Sequence, residues 1–253
     1  MIEIAICMAI ISFALIAIIG VLPLGMNTQR DNREETVINQ DATVLLETIR
    51  SGSRGADSLT NSVYAITNQW TTFSPPAAPV SGVDSFSYSA ASFNGTPNSY
   101  YRLTNGANII GILSTPEFTV GGRPFSGPFN GSFTSNHIVA YVRSISGLAA
   151  EQPPQNNAIM VGDSFAYRVY CVNAPMAVDT NLFNLPVAQR VFATQLAANL
   201  RELRLTFLWP QLPNGNVGNG RQTFRATVAG QLAQDPLNQP HYFYQSQSFT
   251  NAP

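Results

Sequence analysis

Lysine is absent from this chain, and all 13 of its basic residues are arginine. Charge of either sign is scarce, at 11% of 253 residues, and the net is −1. A chain so balanced carries no basic field to draw in nucleic acid or anionic lipid. The choice of Arg over Lys has no firm physical account beyond the fit of a planar guanidinium to bidentate pairing at packed interfaces. Cysteine and histidine are almost missing too: Cys7, Cys171, His137 and His241 are all there are. Cys7 lies in an apolar run and Cys171 in an expected strand far down the chain. Both are therefore expected to be free, buried, small apolar residues, and a disulfide scaffold is excluded. With no Cys at ligand spacing from either histidine, a zinc centre is not expected. No G-x-S-x-G elbow, phosphate-binding loop, dinucleotide fingerprint or Cys-x-x-Cys-His haem motif occurs. Asp163, in Gly-Asp-Ser, reads as a turn, and the few scattered acids give calcium little to build on. The expectation is a non-enzymatic protein without cofactor or metal.

What is present begins at the N-terminus. Ile4 to Met26, IAICMAIISFALIAIIGVLPLGM, is apolar and uncharged, with Ser12 its only hydroxyl. As a helix these 23 residues would span roughly 35 Å, against about 30 Å of bilayer hydrocarbon. Met1-Ile2-Glu3 before it has no basic stretch, so the run does not read as a cleaved signal peptide. Beyond it, Ile38, Ala42, Leu45 and Ile49 fall on one helical face. Asp31, Glu34, Asp41 and Glu47 are placed off that face. A stop is expected near Ser51-Gly52-Ser53-Arg54-Gly55. Gly20, Pro23 and Gly25 predict a kink or a locally unwound stretch between the two halves.

An apolar helix opened by Glu3, interrupted by Gly20, Pro23 and Gly25, and continued as an amphipathic helix resembles the N-terminus of the type IV pilin and pseudopilin superfamily. The run Glu3-Ile-Ala-Ile-Cys-Met-Ala-Ile-Ile-Ser-Phe-Ala-Leu carries the likeness, which covers about one fifth of the chain. The family has its glutamate fifth, after a basic leader ending in glycine; here it is third, and no such leader precedes it. By the resemblance, Glu3 is the glutamate that neutralises the amino terminus of a neighbouring subunit during assembly. By simple electrostatics it is also favoured at a helix N-terminus near a membrane surface. Arg30 and Arg33 would mark a cytoplasmic side by the positive-inside rule. The resemblance implies the reverse, with the head exported.

Residues 56–253 show no second apolar span and no repeat, only short β-like runs between Gly, Pro and Asn breaks. Strands are expected at Ser85–Ala90, Ser99–Thr104, Ile138–Ile145, Phe165–Asn173, Leu203–Trp209 and Thr223–Ala229. The last two alternate best and predict a long-looped antiparallel hairpin, with Arg204 and Arg225 on one outer face. Val187–Leu200 is expected to be a short helix. Ser74–Pro79 is read as a rigid linker or loop. Gly121–Gly131 and Glu151–Asn157 are read as irregular. The aromatic tail around Tyr242-Phe-Tyr is expected to contact either the head or a neighbour. Asn94-Gly-Thr and Asn130-Gly-Ser fit the glycosylation sequon.

The expected fold is α+β: residues 1–55 as a long kinked N-terminal helix, for membrane and filament core, packed on an antiparallel β-sheet head of residues 56–253. The function that the resemblance implies is that of a structural subunit of a type IV pilus-like filament. Its partners would be copies of itself, the inner membrane before assembly, and the pilus assembly machinery, with no nucleic acid. Its locations would be the inner membrane and then the cell surface. The alternatives are a minor pseudopilin of a secretion or uptake machine and a single-span, surface-anchored binding protein.

Overall fold

The computed structural model describes residues 2–52, 56–88, 98–103, 105–125, 131–146, 164–176, 186–236 and 241–249. Asn94, Asn130, Asp163, the 151–157 segment and part of 121–131 lie outside them. The chain divides into two compact units, Met1–Gln40 and Asp41–Pro253. The fold is α+β, a long bent N-terminal helix and a large antiparallel sheet.

Helix α1 runs from Ile2 to Ser51 with Pro23 inside it. Pro23 cannot donate to the Ile19 carbonyl, yet the helix bends rather than unwinds. It ends where the sequence places the stop. Gly52 takes φ +61° and its N–H returns to the Ile49 carbonyl at 3.1 Å. A side chain there would be strained by that φ and would also strike the Tyr244 carbonyl.

In the second unit a short 3-10 turn, Asp57–Asn61, leads into β1, Val63–Phe73, and β2, Val80–Ser87. The Ser74–Pro79 segment is therefore a hairpin loop, since β1 and β2 pair antiparallel. There follow β3, Asn98–Arg102; α2, Gly106–Leu113; β4, Phe118–Val120; β5, Arg123–Pro124; and β6, Phe133–Arg143. Then come β7, Ala166–Pro175; α3, Val187–Asn199; β8, Leu200–Gln211; and β9, Val217–Ala229. Short strands β10, Gln231–Gln234, and β11, Tyr242–Gln245, pair with each other. The main sheet has the order β3-β2-β1-β6-β7-β8-β9, with β4 paired to β6 and β5 paired to β4. Its pairs are antiparallel except for β2 with β3.

Strand alternation sorts the sheet into two faces. One carries Ile66, Ile138, Val142, Val169, Cys171, Leu203, Leu205 and Phe207, all buried. On α1, the predicted stripe Ile38, Ala42, Leu45 and Ile49 is buried throughout. Burying a Leu- or Ile-sized side chain stabilises by about 1.5–3 kcal/mol, so this stripe is a main reason the helix end stays ordered. Helix α2 is apolar but for Asn108 and mostly buried, capped by the Asn105 side chain accepting from the Ala107 N–H at 2.7 Å. The tail packs into the head: Tyr242, Phe243 and Tyr244 are buried.

The β8–β9 hairpin forms as expected, but its connection is only Leu212–Asn216, because Pro210, Gln211 and Val217–Gly220 are strand. Both tryptophans lie across a glycine on the neighbouring strand, Trp70 over Gly82 and Trp209 over Gly220. A Cβ at either glycine would run into the indole. The turn-former-rich segment after Trp209 therefore serves ring packing as much as turning.

Candidate functional site

Two sites on α1 carry the functional reading, one in each unit. In the first unit, Ile2, Ile4, Ile6, Ile10, Phe13, Ile16, Ile19 and Leu22 are all exposed, Phe13 at 76%. The helix is long and apolar enough to cross a membrane. Its one interior hydroxyl is satisfied within the helix, Ser12 Oγ donating to the Met8 carbonyl at 2.7 Å. That closes the only side-chain polar group between Ile4 and Met26, as an apolar solvent requires. Cys7 is free but exposed, contrary to the expectation of burial; Cys171 is free and buried, as expected. The difference is physical: among the described residues none covers the first turns of α1, whereas Cys171 lies in the middle of the sheet.

Glu3 stands in the first turn, where the helix dipole favours a carboxylate. Among the described residues it has no hydrogen bond or ion pair. Gly20 and Gly25 have open space where a Cβ would be, so among the described residues no contact requires glycine at either position. Glu3, Gly20, Pro23 and Gly25 are thus on one helix and spread along it. They form no cluster. After the apolar run, Arg30 Nε donates to Glu34 Oε1 at 2.8 Å, an i,i+4 pair along the helix.

In the second unit, Asp41 corrects the sequence reading: it is fully buried. Its carboxylate accepts from the Ile145 and Ser146 N–H groups at 3.0 and 2.9 Å and from the Tyr167 hydroxyl at 2.8 Å. These donors come from the end of β6 and from β7. No cation pairs with it among the described residues, so hydrogen bonds alone offset its desolvation. Burial and the adjacent carboxylate hold the Tyr167 hydroxyl well above its ordinary pKa. The helix end is thus clasped to the sheet by a charge-assisted node as well as by apolar packing. One acid among polar helix residues gives no sequence signal of burial.

A second buried node ties the tail to the sheet. Arg201 is 1% exposed. Its Nε donates to Asn173 Oδ1 at 2.8 Å and a terminal nitrogen donates to the Asn173 carbonyl at 3.2 Å. Tyr244 donates to the same Oδ1 at 2.7 Å, while Asn173 Nδ2 donates to the Ser114 carbonyl at 2.7 Å. Burial lowers the Arg201 pKa, partly offset by Tyr244 and Glu117. Four elements, α2, β7, β8 and β11, meet on one amide. His137, on β6, is exposed and His241 is buried, its pKa lowered by burial against the pull of Asp235. Among the described residues no group of His, Cys, Asp and Glu is placed to hold a metal ion.

Comparison with protein-family models, with curated proteins and with solved structures returns no match.

Proposed function

We propose that this chain is a subunit of a type IV pilus-like filament, anchored in a membrane by the first half of α1 before assembly. The observation that carries the reading is an exposed, uncharged helical run opened by a lone acid, Glu3, and continued by a helix end clasped into a β-rich unit. Apolar surface kept from water by packing between helices is worth about 25 cal/mol per Å². Subunits leaving the bilayer can regain that burial only by packing their helices against one another. In such a core Glu3 needs a positive partner, since an unpaired buried carboxylate costs several kcal/mol. The amino terminus of a neighbouring copy supplies one. The chain's part is structural, with no catalysis, and its neighbours are copies of itself and the assembly machinery that extracts them.

The test is a pair of measurements on Glu3→Ala in cells. Membrane insertion, read by fractionation, is expected to match the parent chain. Filaments sheared from the cells and viewed by electron microscopy are expected to fall at least tenfold. Normal filament yield from the variant would remove the assembly role of Glu3. A parent chain that stays with the membrane and enters no filament would overturn the subunit reading in favour of a surface-anchored binding protein.

A further inference from the structure

The face of the sheet opposite the core has a composition unlike the rest of the chain. Arg168 on β7, Arg204 on β8, and Arg221 and Arg225 on β9 share it. Register places Arg168 beside Leu208, Leu208 beside Arg221, and Arg204 directly opposite Arg225. Among the described residues of these three strands the only acid on this face is Glu202. Its Oε1 is shared, at 3.9 Å from Arg204 Nε and 3.7 Å from Arg225 Nε. Both distances exceed a hydrogen bond, so these are weak pairs. The Arg225 side chain remains 66% exposed, and Arg221 is exposed too.

Like charges directly opposite across a strand pair destabilise it. Arg204 opposite Arg225 is therefore a local cost that the single, distant carboxylate of Glu202 offsets only in part, the kind of inconsistency that marks a functional surface. Arg168 is pre-positioned: its guanidinium lies 5.0 Å from the centre of the Tyr141 ring and donates to the Gly215 carbonyl. Between the arginine rows runs a neutral row of Tyr170, Thr206 and Thr223, with the two threonine hydroxyls 3.0 Å apart. The same face continues over β6, β1 and β2 to an open depression of about 300 Å³ whose lining includes Gln69, Thr71, Ser81 and His137.

We propose that this face binds an acidic polysaccharide, its carboxylates taken by Arg168, Arg204, Arg221 and Arg225 and its hydroxyls by the row between them. Arg168 and Arg221 lie two inter-strand spacings apart across β8, and Arg221 and Arg225 four residue steps apart along β9. Those intervals correspond to about 10 and 13 Å, wide enough for charges carried on successive or alternate sugar rings. A nucleic acid presents phosphates far more densely and is held by a strong positive field, which a chain of net −1 lacks. Hydroxyl groups beside the guanidiniums, with amide and imidazole groups farther along the sheet, suit a ligand that is mostly hydroxyl.

The test uses the full chain in non-ionic detergent micelles and titration calorimetry with three probes: alginate as a polyuronate, dextran as a neutral polysaccharide, and duplex DNA. Alginate is expected to bind, and to weaken as salt rises towards about 0.15 M; dextran is expected not to bind. Arg221→Gln with Arg225→Gln is expected to weaken alginate about tenfold without moving the melting temperature, because both side chains are exposed. Glu202→Gln is expected to tighten it a few-fold. Alginate indistinguishable from dextran, or a double variant with parental affinity, would overturn the proposal. Tighter binding of DNA than of alginate at equal salt would replace the polysaccharide by nucleic acid. Because monomers in micelles are measured, failure here leaves the filament reading standing, and failure of the Glu3 test leaves this binding intact.

Discussion

The Tyr167 hydroxyl donates to Asp41 at 2.8 Å, and both side chains are fully buried. That bond joins the end of α1 to β7, across 126 residues of sequence. Two backbone N–H groups complete the carboxylate's coordination, so each of its oxygens is used.

Removing the acceptor should therefore cost more than removing any one donor. Asp41→Ala leaves two N–H groups and a phenol buried without a partner, and a loss of about 3–5 kcal/mol is expected. Tyr167→Phe removes one donor and keeps the ring, so about 1–3 kcal/mol is expected. Asp41→Asn keeps one acceptor oxygen but turns an NH₂ against a donor, and should fall between them. Denaturant unfolding of the full chain in detergent, followed by tryptophan fluorescence, reads all three. Equal losses for Asp41→Ala and Tyr167→Phe would mean that the two amides find water instead and that the clasp is weaker than its geometry.

The Asn173 node predicts the opposite asymmetry, because its centre is neutral and its cation is replaceable. Asn173→Leu strands Arg201 Nε, the Tyr244 hydroxyl and the Ser114 carbonyl together, and about 3 kcal/mol or more should be lost. Arg201→Met removes a desolvated cation and leaves Asn173 with Tyr244 and Ser114. A change within about 1 kcal/mol is expected. Thermal melts of the two variants decide the matter. A severe loss for Arg201→Met alone would show that the Glu117 carboxylate stabilises the cation by more than its desolvation costs.

The sequence exposed most of the architecture because much of it is written in periodicity. The four-residue stripe on α1 and the alternation of Leu203, Leu205, Phe207 and Trp209 each correspond to a buried face. The strands expected at 85–90, 99–104, 138–145, 165–173, 203–209 and 223–229 overlap β2, β3, β6, β7, β8 and β9. Strand β1 went unseen because Ala65, Ile66, Thr67 and Asn68 are buried on both faces, which erases alternation. Helix α2 went unseen for the helical version of the same reason: in GANIIGIL the only polar side chain is Asn108, too little to set a period. Gly111 in it reads as a breaker, yet a Cβ there would meet His241 Cβ at 2.7 Å, so the residue marks close packing. The candidate assembly residues were legible through local chemistry, an acid before an apolar run and a proline within it. Asp41 was not, because its importance lies in donors more than 100 residues away.

The two cysteines separate the environments of the two units by chemistry. Cys171 sits between Ile138 and Leu205 in the middle of the sheet, and burial pushes its thiol up to about 12. At pH 8 its thiolate fraction would be a few thousandfold below that of an ordinary exposed thiol with a pKa of about 8.5. Alkylation needs the thiolate and also needs access, so in the folded chain it should proceed only through opening of the β6–β7–β8 region. In a Cys7→Ser background, Cys171 is therefore expected to label over hours natively and within minutes in denaturant, with mass spectrometry as the readout. Cys7 is exposed on the isolated helix, so in a Cys171→Ser background it should react where the helix is free. It should be shielded from a charged reagent once the helix lies in lipid or in a filament. Prompt native labelling of Cys171 would mean that the centre of the sheet opens far more readily than its burial implies. Prompt labelling of Cys7 by the charged reagent in membranes would place the first turns of α1 outside the apolar phase.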